Sequence, residues 1–207
     1  MIKPSPLIGT IEGFFGKPWS WEDRHDHIDF LKYKNLSFYM YAPKADPYLR
    51  KKWQEEFPTE HYQRLRHLSQ KCKKSGIKFG IGFTPFEIFK NFDNTAKSLL
   101  KNKLEVIDKL RPDEIGILFD DMDGNISNLA QLQADIVNFI SSHTSASKIS
   151  FCPTYYSFDP ILDAVFGNRP KNYLQDLGEL LERKVDIMWT GPKVISKELT
   201  ESHLIEI

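Results

Sequence analysis

Apolar, β-branched and aromatic residues gather in six short runs along the chain: Leu7 to Phe15, Leu36 to Ala42, Lys78 to Thr84, Ile115 to Asp120, Ile149 to Thr154 and Val185 to Thr190. The runs are continuous rather than alternating, as in strands covered on both faces. Amphipathic stretches with helix punctuation separate them. Ser20-Trp21-Glu22-Asp23 resembles a capping box, Thr59 is placed to cap the next helix, and Gly76 stands where a C′ glycine ends one. The repeating unit is β then α, which predicts a parallel α/β sheet or barrel. A (β/α)₈ barrel needs eight strands, and the last helical stretch, begun near Ser196, is brief. The pattern therefore fits either a smaller open sheet or a barrel without its last two βα units.

Composition narrows the function. The chain has 207 residues, 41% apolar and 27% charged, enough for one medium globular domain. Lys plus Arg (28) equals Asp plus Glu (28), so net charge gives no reason to expect nucleic acid or an anionic membrane as a partner. Cys72 and Cys152 share no CxxC or Cys/His spacing and read as buried or inert thiols, not as a disulfide framework or zinc site. Met1-Ile2-Lys3-Pro4-Ser5-Pro6 has neither a charged n-region nor an apolar h-region, so the chain as written reads as cytoplasmic.

Chemistry concentrates where strands give way to loops. Phe119-Asp120-Asp121-Met122-Asp123 closes the run Ile115-Gly116-Ile117-Leu118. Successive strand side chains face opposite ways, so Asp120 and Asp121 can share a pocket only at a strand end. Such ends carry the active sites of parallel α/β folds. Two carboxylates this close would not ionise independently, and repulsion plus burial would raise the pKa of one, as a general acid requires. The simpler alternative is that the pair caps a helix. A calcium loop is a second alternative, since Asp121, Asp123 and Asn125 alternate, but Ile126 and Leu132 stand where an EF-hand needs glycine and a bidentate Glu. No metal is expected.

Other strand ends carry Glu12-Gly13-Phe14-Phe15-Gly16-Lys17-Pro18-Trp19, Tyr41-Ala42-Pro43-Lys44, Cys152-Pro153-Thr154-Tyr155-Tyr156 and Trp189-Thr190-Gly191-Pro192-Lys193-Val194. The ordered set EGFFGKPW, YAPK, LFDD, FCPT-x-Y and WTGPKV resembles glycoside hydrolase family 84, the protein O-GlcNAcases and bacterial β-N-acetylglucosaminidases. The resemblance covers essentially the whole chain and matches the first three quarters of a (β/α)₈ catalytic barrel. It makes residues 1–207 a single, incomplete catalytic domain; the later family loops that supply an Asn, an Asp and a Trp have no counterpart here.

The resemblance implies a retaining β-N-acetylglucosaminidase acting by substrate assistance, an exception to the two-carboxylate scheme. The sugar's own acetamide oxygen would attack the anomeric carbon and form an oxazoline. Asp120 would orient the acetamide, and Asp121 would serve as general acid and then base. Lys44 would donate to a sugar hydroxyl, the backbone of Gly13 would line the sugar site, and Tyr156 would bond in the acetamide pocket. Tyr155, which precedes it, could be confused with Tyr156 if the match slips by one residue. Phe15 stands where many relatives carry Tyr. Trp19 and Trp189 read as packing residues, and His25, His27, His61, His67 and His143 as surface or second-layer residues.

The implied partner is an N-acetylglucosamine-bearing glycoprotein or oligosaccharide, and no cofactor is implied. An alternative from a different class is an incomplete barrel that only binds glycan weakly or serves as an interaction module.

Overall fold

All six apolar runs form strands in a computed structural model of the protein, which describes residues 7–205. They are β1 (Gly9–Glu12), β2 (Phe38–Tyr41), β3 (Lys78–Phe83), β4 (Glu114–Leu118), β5 (Lys148–Cys152) and β6 (Val185–Ile187). Each pairs in parallel with its predecessor in one sheet of order β1-β2-β3-β4-β5-β6. Helices α1 (Trp21–Tyr33), α2 (Thr59–Ser75), α3 (Asn94–Asp108) and α4 (Leu129–His143) each follow one strand. Between β5 and β6 lie α5 (Ile161–Phe166) and α6 (Tyr173–Leu180), and α7 (Glu201–Ile205) follows β6. The sequential parallel order is that of a (β/α)₈-type barrel, six strands of which lie in this chain.

Period-two alternation divides the strand side chains between two layers. Tyr39, Phe79, Ile81, Ile115, Ile117 and Phe151 belong to the main core with the helices. Phe38, Met40, Ala42 and Leu118 form a separate cluster in the other layer, inside the arc. Small residues on that side are forced by space: a Cβ on Gly82 would stand 2.3 Å from the Ala42 Cβ, and one on Gly116 would stand 2.7 Å from the Met40 side chain.

The helix signals hold with two adjustments. Ser20 and Asp23 form a reciprocal capping box, with Asp23 N–H donating to Ser20 Oγ at 3.0 Å and Ser20 N–H to Asp23 Oδ2 at 2.8 Å. Gly76 ends α2 in the left-handed region at φ 73°. Thr59, however, is the first residue of α2 and not its cap; Pro58 occupies that position without a side-chain hydrogen bond. The last helix starts at Glu201, and Ser196 instead accepts the Lys193 N–H in a turn. Among the described residues no helix is long and apolar enough to cross a membrane. Met1 to Pro6, read above for a leader, lie outside the described residues.

Cover on both faces holds for β2, β3 and β4, which are buried throughout apart from Lys78 at the start of β3, and fails at β1, where Ile11 is 45% exposed, and at β6. The reason is positional: these are the two edges of the sheet. Ile8 beside β1 and Phe30 and Tyr33 on α1 are also exposed. Unpaired edges flanked by apolar surface invite pairing with another chain. The isolated 207-residue chain is therefore expected to self-associate, with a weight-average mass in sedimentation that rises with concentration; a monodisperse monomer at all loadings would contradict this.

One core lysine gives a pH-dependent prediction. Lys103 on α3 is buried, donates to the Glu55 carbonyl at 2.9 Å and lies 3.9 Å from the Phe57 ring centroid. Burial pushes its pKa down from 10.5 to about 8. The unfolded chain thus binds the proton more tightly, and the cost of burying the charge is complete below about pH 8 and fades as pH rises towards the unfolded value. Lys103→Met should stabilise the fold by about 1–2 kcal/mol at pH 7 after losing the cation–π contact, and by progressively less up to pH 10.5. Urea midpoints of both proteins across pH 7–10.5 would check this.

Candidate active site

The site is built on the loops that leave the C-terminal ends of the strands. Two buried networks fix the first two. At the end of β1, Glu12 is fully buried and accepts from Arg24 Nε at 2.9 Å and Nη2 at 2.7 Å, and also from the Tyr39 hydroxyl. The Arg24 guanidinium lies 4.7 Å from the Trp21 ring centroid and 4.9 Å from that of Tyr41. Burial alone would lower the Arg24 pKa, but the Glu12 carboxylate more than offsets it and the net shift is upward.

After β2, the buried Asp46 accepts from the Tyr41 hydroxyl, the Tyr48 N–H and His61 Nε2, each at 2.9 Å. Burial pushes its carboxyl up, but His61 and the other donors outweigh that and hold it below the usual carboxylate value. The loop bearing Lys44 is pinned two residues beyond Lys44.

A third network sets the end of β4. Phe119 N–H donates to the Cys152 carbonyl at 2.8 Å, and the Phe119 carbonyl accepts from the Met122 N–H and from Thr154 Oγ1, both at 3.0 Å. Gln133 on α4 donates to Thr154 Oγ1 at 2.8 Å and accepts from the Tyr173 hydroxyl. The residue before the Asp pair is therefore clamped from β5 and α4.

These frames bring the acidic pair under one cation. Lys44 Nζ lies 2.6 Å from Asp120 Oδ2 and 3.0 Å from Asp121 Oδ2, and the lysine side chain is only 5% exposed. Repulsion between the adjacent carboxylates is met by an ammonium within bonding distance of both. Asp121 Oδ2 also accepts from Arg50 Nη2 at 3.0 Å. Asp120 Oδ1 is buried and has no hydrogen-bond partner among the described residues, a condition that asks for a donor. Among the described residues, no group of three His, Cys, Asp or Glu side chains is arranged to hold a metal ion.

The remaining sequence candidates fall at different distances from this centre. Tyr156 is half-buried; burial, then the nearby Asp120 and Asp121 carboxylates, push its hydroxyl upward, which keeps it a hydrogen-bond donor. Tyr155 is fully buried and donates to the Gly167 carbonyl at 2.6 Å, so Tyr156 alone of the two faces the acids. Gly13 sits on the rim just after Glu12, and no packing demands glycine there: a Cβ would meet only Ile11 at 3.6 Å. Phe15, 68% exposed, reaches over the rim to Lys44, whose Nζ is 5.6 Å from its ring centroid.

Trp19 packs on Phe14 and His27, and Trp189 on Phe158. Burial, reinforced by Asp120, pushes the Cys152 thiol up, and burial pushes Cys72 to about 12, so both stay protonated. Arg50 was not singled out from sequence; its only signal is its place in the loop that carries Lys44, Tyr41-Ala42-Pro43-Lys44-Ala45-Asp46-Pro47-Tyr48-Leu49-Arg50.

Comparison with known proteins places this rim in context. The family model described as beta-N-acetylglucosaminidase matches residues 8–207. The protein O-GlcNAcases of Rattus norvegicus and Mus musculus are each 32% identical to the chain over 97% of its length and 23% of theirs. A solved mutant form of the Thermobaculum terrenum O-GlcNAc hydrolase superposes with a TM-score of 0.83 at 33% identity, covering 97% of this chain and 44% of that one. The chain thus spans less than a quarter of the mammalian relatives and less than half of the bacterial structure.

Proposed function

Because the chain belongs to the β-N-acetylglucosaminidase family of glycoside hydrolases, family 84, we propose that it provides the catalytic rim of a retaining enzyme that removes terminal β-linked N-acetylglucosamine by substrate assistance. The observation that carries this reading is the Asp120 carboxylate. Lys44 holds Oδ2 at 2.6 Å while Oδ1 is buried and unpaired, which suits an acceptor for an acetamide N–H. In this role Asp120 turns the acetamide oxygen towards the anomeric carbon and opposes the positive charge that develops on the oxazoline.

Asp121 hands a proton to the departing glycosidic oxygen and takes one from the water that opens the oxazoline, so configuration is retained. The Tyr156 hydroxyl, kept protonated by burial and neighbouring charge, bonds to the acetamide. Lys44 donates to a sugar hydroxyl. The absence of a side chain at Gly13 lets the sugar approach the backbone. Residues 1–207 form a single, incomplete catalytic domain, and the partner is a glycoprotein or oligosaccharide ending in this sugar.

Substrate assistance has its own test. If the acetamide oxygen is the nucleophile, successive fluorination of the acetyl methyl group withdraws electrons from it, and kcat/KM should fall steeply from acetyl to trifluoroacetyl. A rate independent of fluorination would contradict the mechanism.

A further inference from the structure

Outward from Asp121, side chains follow a fixed order. Arg50 Nη2 bonds Asp121 Oδ2 at 3.0 Å and makes no hydrogen bond to Asp120. Its guanidinium lies 5.3 Å from the Phe86 ring centroid, and the Lys51 ammonium lies 6.0 Å from the same ring. Phe15, Lys44, Pro47, Arg50 and Lys51 line a common open cleft. The acids around it are already engaged: Asp46 by Tyr41 and His61, Glu87 by Lys90 at 2.7 Å, and Glu55 by Lys52 at 3.3 Å. Arg50 Nε is buried without a partner, and Lys51 is exposed and forms no ion pair among the described residues. Lys44 and Arg50 are paired to Asp120 and Asp121, so the unspent positive charge of the cleft is that of Lys51, which suits a carboxylate.

We propose that this cleft takes an anionic leaving group: a polypeptide with an acidic side chain next to the sugar-bearing residue, with Lys51 as the specificity-determining residue and Arg50 as a positioning residue for Asp121. The inference rests on the reading of Asp121 as the acid, because that role puts the leaving group on the Arg50 side. A polypeptide fits better than a uronic-acid oligosaccharide because the neighbouring notch is apolar along Pro85, Phe86, Phe89 and Met122, and its acids Glu87 and Asp121 are already held by Lys90 and by Lys44 and Arg50, which leaves Thr84 to meet sugar hydroxyls.

The test compares two N-acetylglucosamine-bearing peptides that differ only in Glu or Lys beside the glycosylated residue, with an aryl β-N-acetylglucosaminide as the control for catalysis. Wild type should favour the Glu peptide by about fivefold in kcat/KM, as for an exposed ion pair, and added salt should shrink the preference. Lys51→Gln should bring the ratio near one and Lys51→Glu should invert it. Equal rates on both peptides in wild type, or a ratio untouched by either substitution, would overturn the proposal. So would cleavage of an N-acetylglucosaminyl-uronate oligosaccharide in preference to both peptides. Failure of wild type on the aryl glycoside would instead overturn the catalytic reading beneath it.

Discussion

Asp121→Asn should lower kcat/KM by about 10²- to 10⁴-fold on a substrate with a poor leaving group, the usual contribution of a general acid. On an activated aryl glycoside, whose leaving group departs without a proton, much of that loss should disappear from the first step. The contrast separates proton donation from collapse of the site, because loss of shape would affect both substrates alike. Asn keeps an oxygen for Arg50 and Lys44, which reach Asp121 Oδ2 at 3.0 Å each, so the loop has reason to stay in place. Steady-state kinetics on the substrate pair is the check. Equal losses on both substrates would remove Asp121 from acid catalysis, and unchanged turnover would remove it from the mechanism.

The second large effect concerns stability. Arg24→Met should cost about 3–5 kcal/mol, because it leaves a buried carboxylate without its cation. Glu12 is fully buried and its two hydrogen bonds from Arg24 are 2.9 and 2.7 Å long, leaving, among the described residues, only the Tyr39 hydroxyl as a side-chain partner once Arg24 is gone. A domain stable by about 5–15 kcal/mol would lose a large share of that margin. Combining Arg24→Met with Glu12→Leu should restore much of the loss, since an apolar pair of similar volume often replaces a buried ion pair at little cost. Urea denaturation of the two single variants and the double variant gives the coupling directly. A cost below about 1 kcal/mol for Arg24→Met would show that Glu12 finds other compensation.

Much of this architecture was legible in the residues. Strands paired on both sides and covered on both faces leave unbroken apolar runs, and Ile115-Gly116-Ile117-Leu118 is such a run. The Asp pair was legible for a related reason: two acids closing a buried strand are hard to accommodate unless the chain turns there. Contacts across the sheet were not. Lys44 and Asp120 are 76 residues apart in sequence, on loops after β2 and β4. With β3 between those strands, only the folded arc shows that the lysine reaches past it to both carboxylates.

Arg50 escaped notice because an arginine in a polar turn is usually solvated, and only its position over Phe86 and beside Asp121 gives it a role. The misreading of Thr59 has a local cause. A threonine before a helical stretch looks like a cap, but Pro58 starts the helix through its own fixed backbone angle.

The measurement that bears most directly on the central claim is release of a chromogenic aglycone from a β-N-acetylglucosaminide by the purified chain, beside Asp120→Asn, with the anomer of the freed sugar followed by NMR. The account predicts turnover by wild type, the β-anomer as first product, and loss of both in Asp120→Asn. Silence from a folded wild-type chain, or the α-anomer as first product, would contradict it.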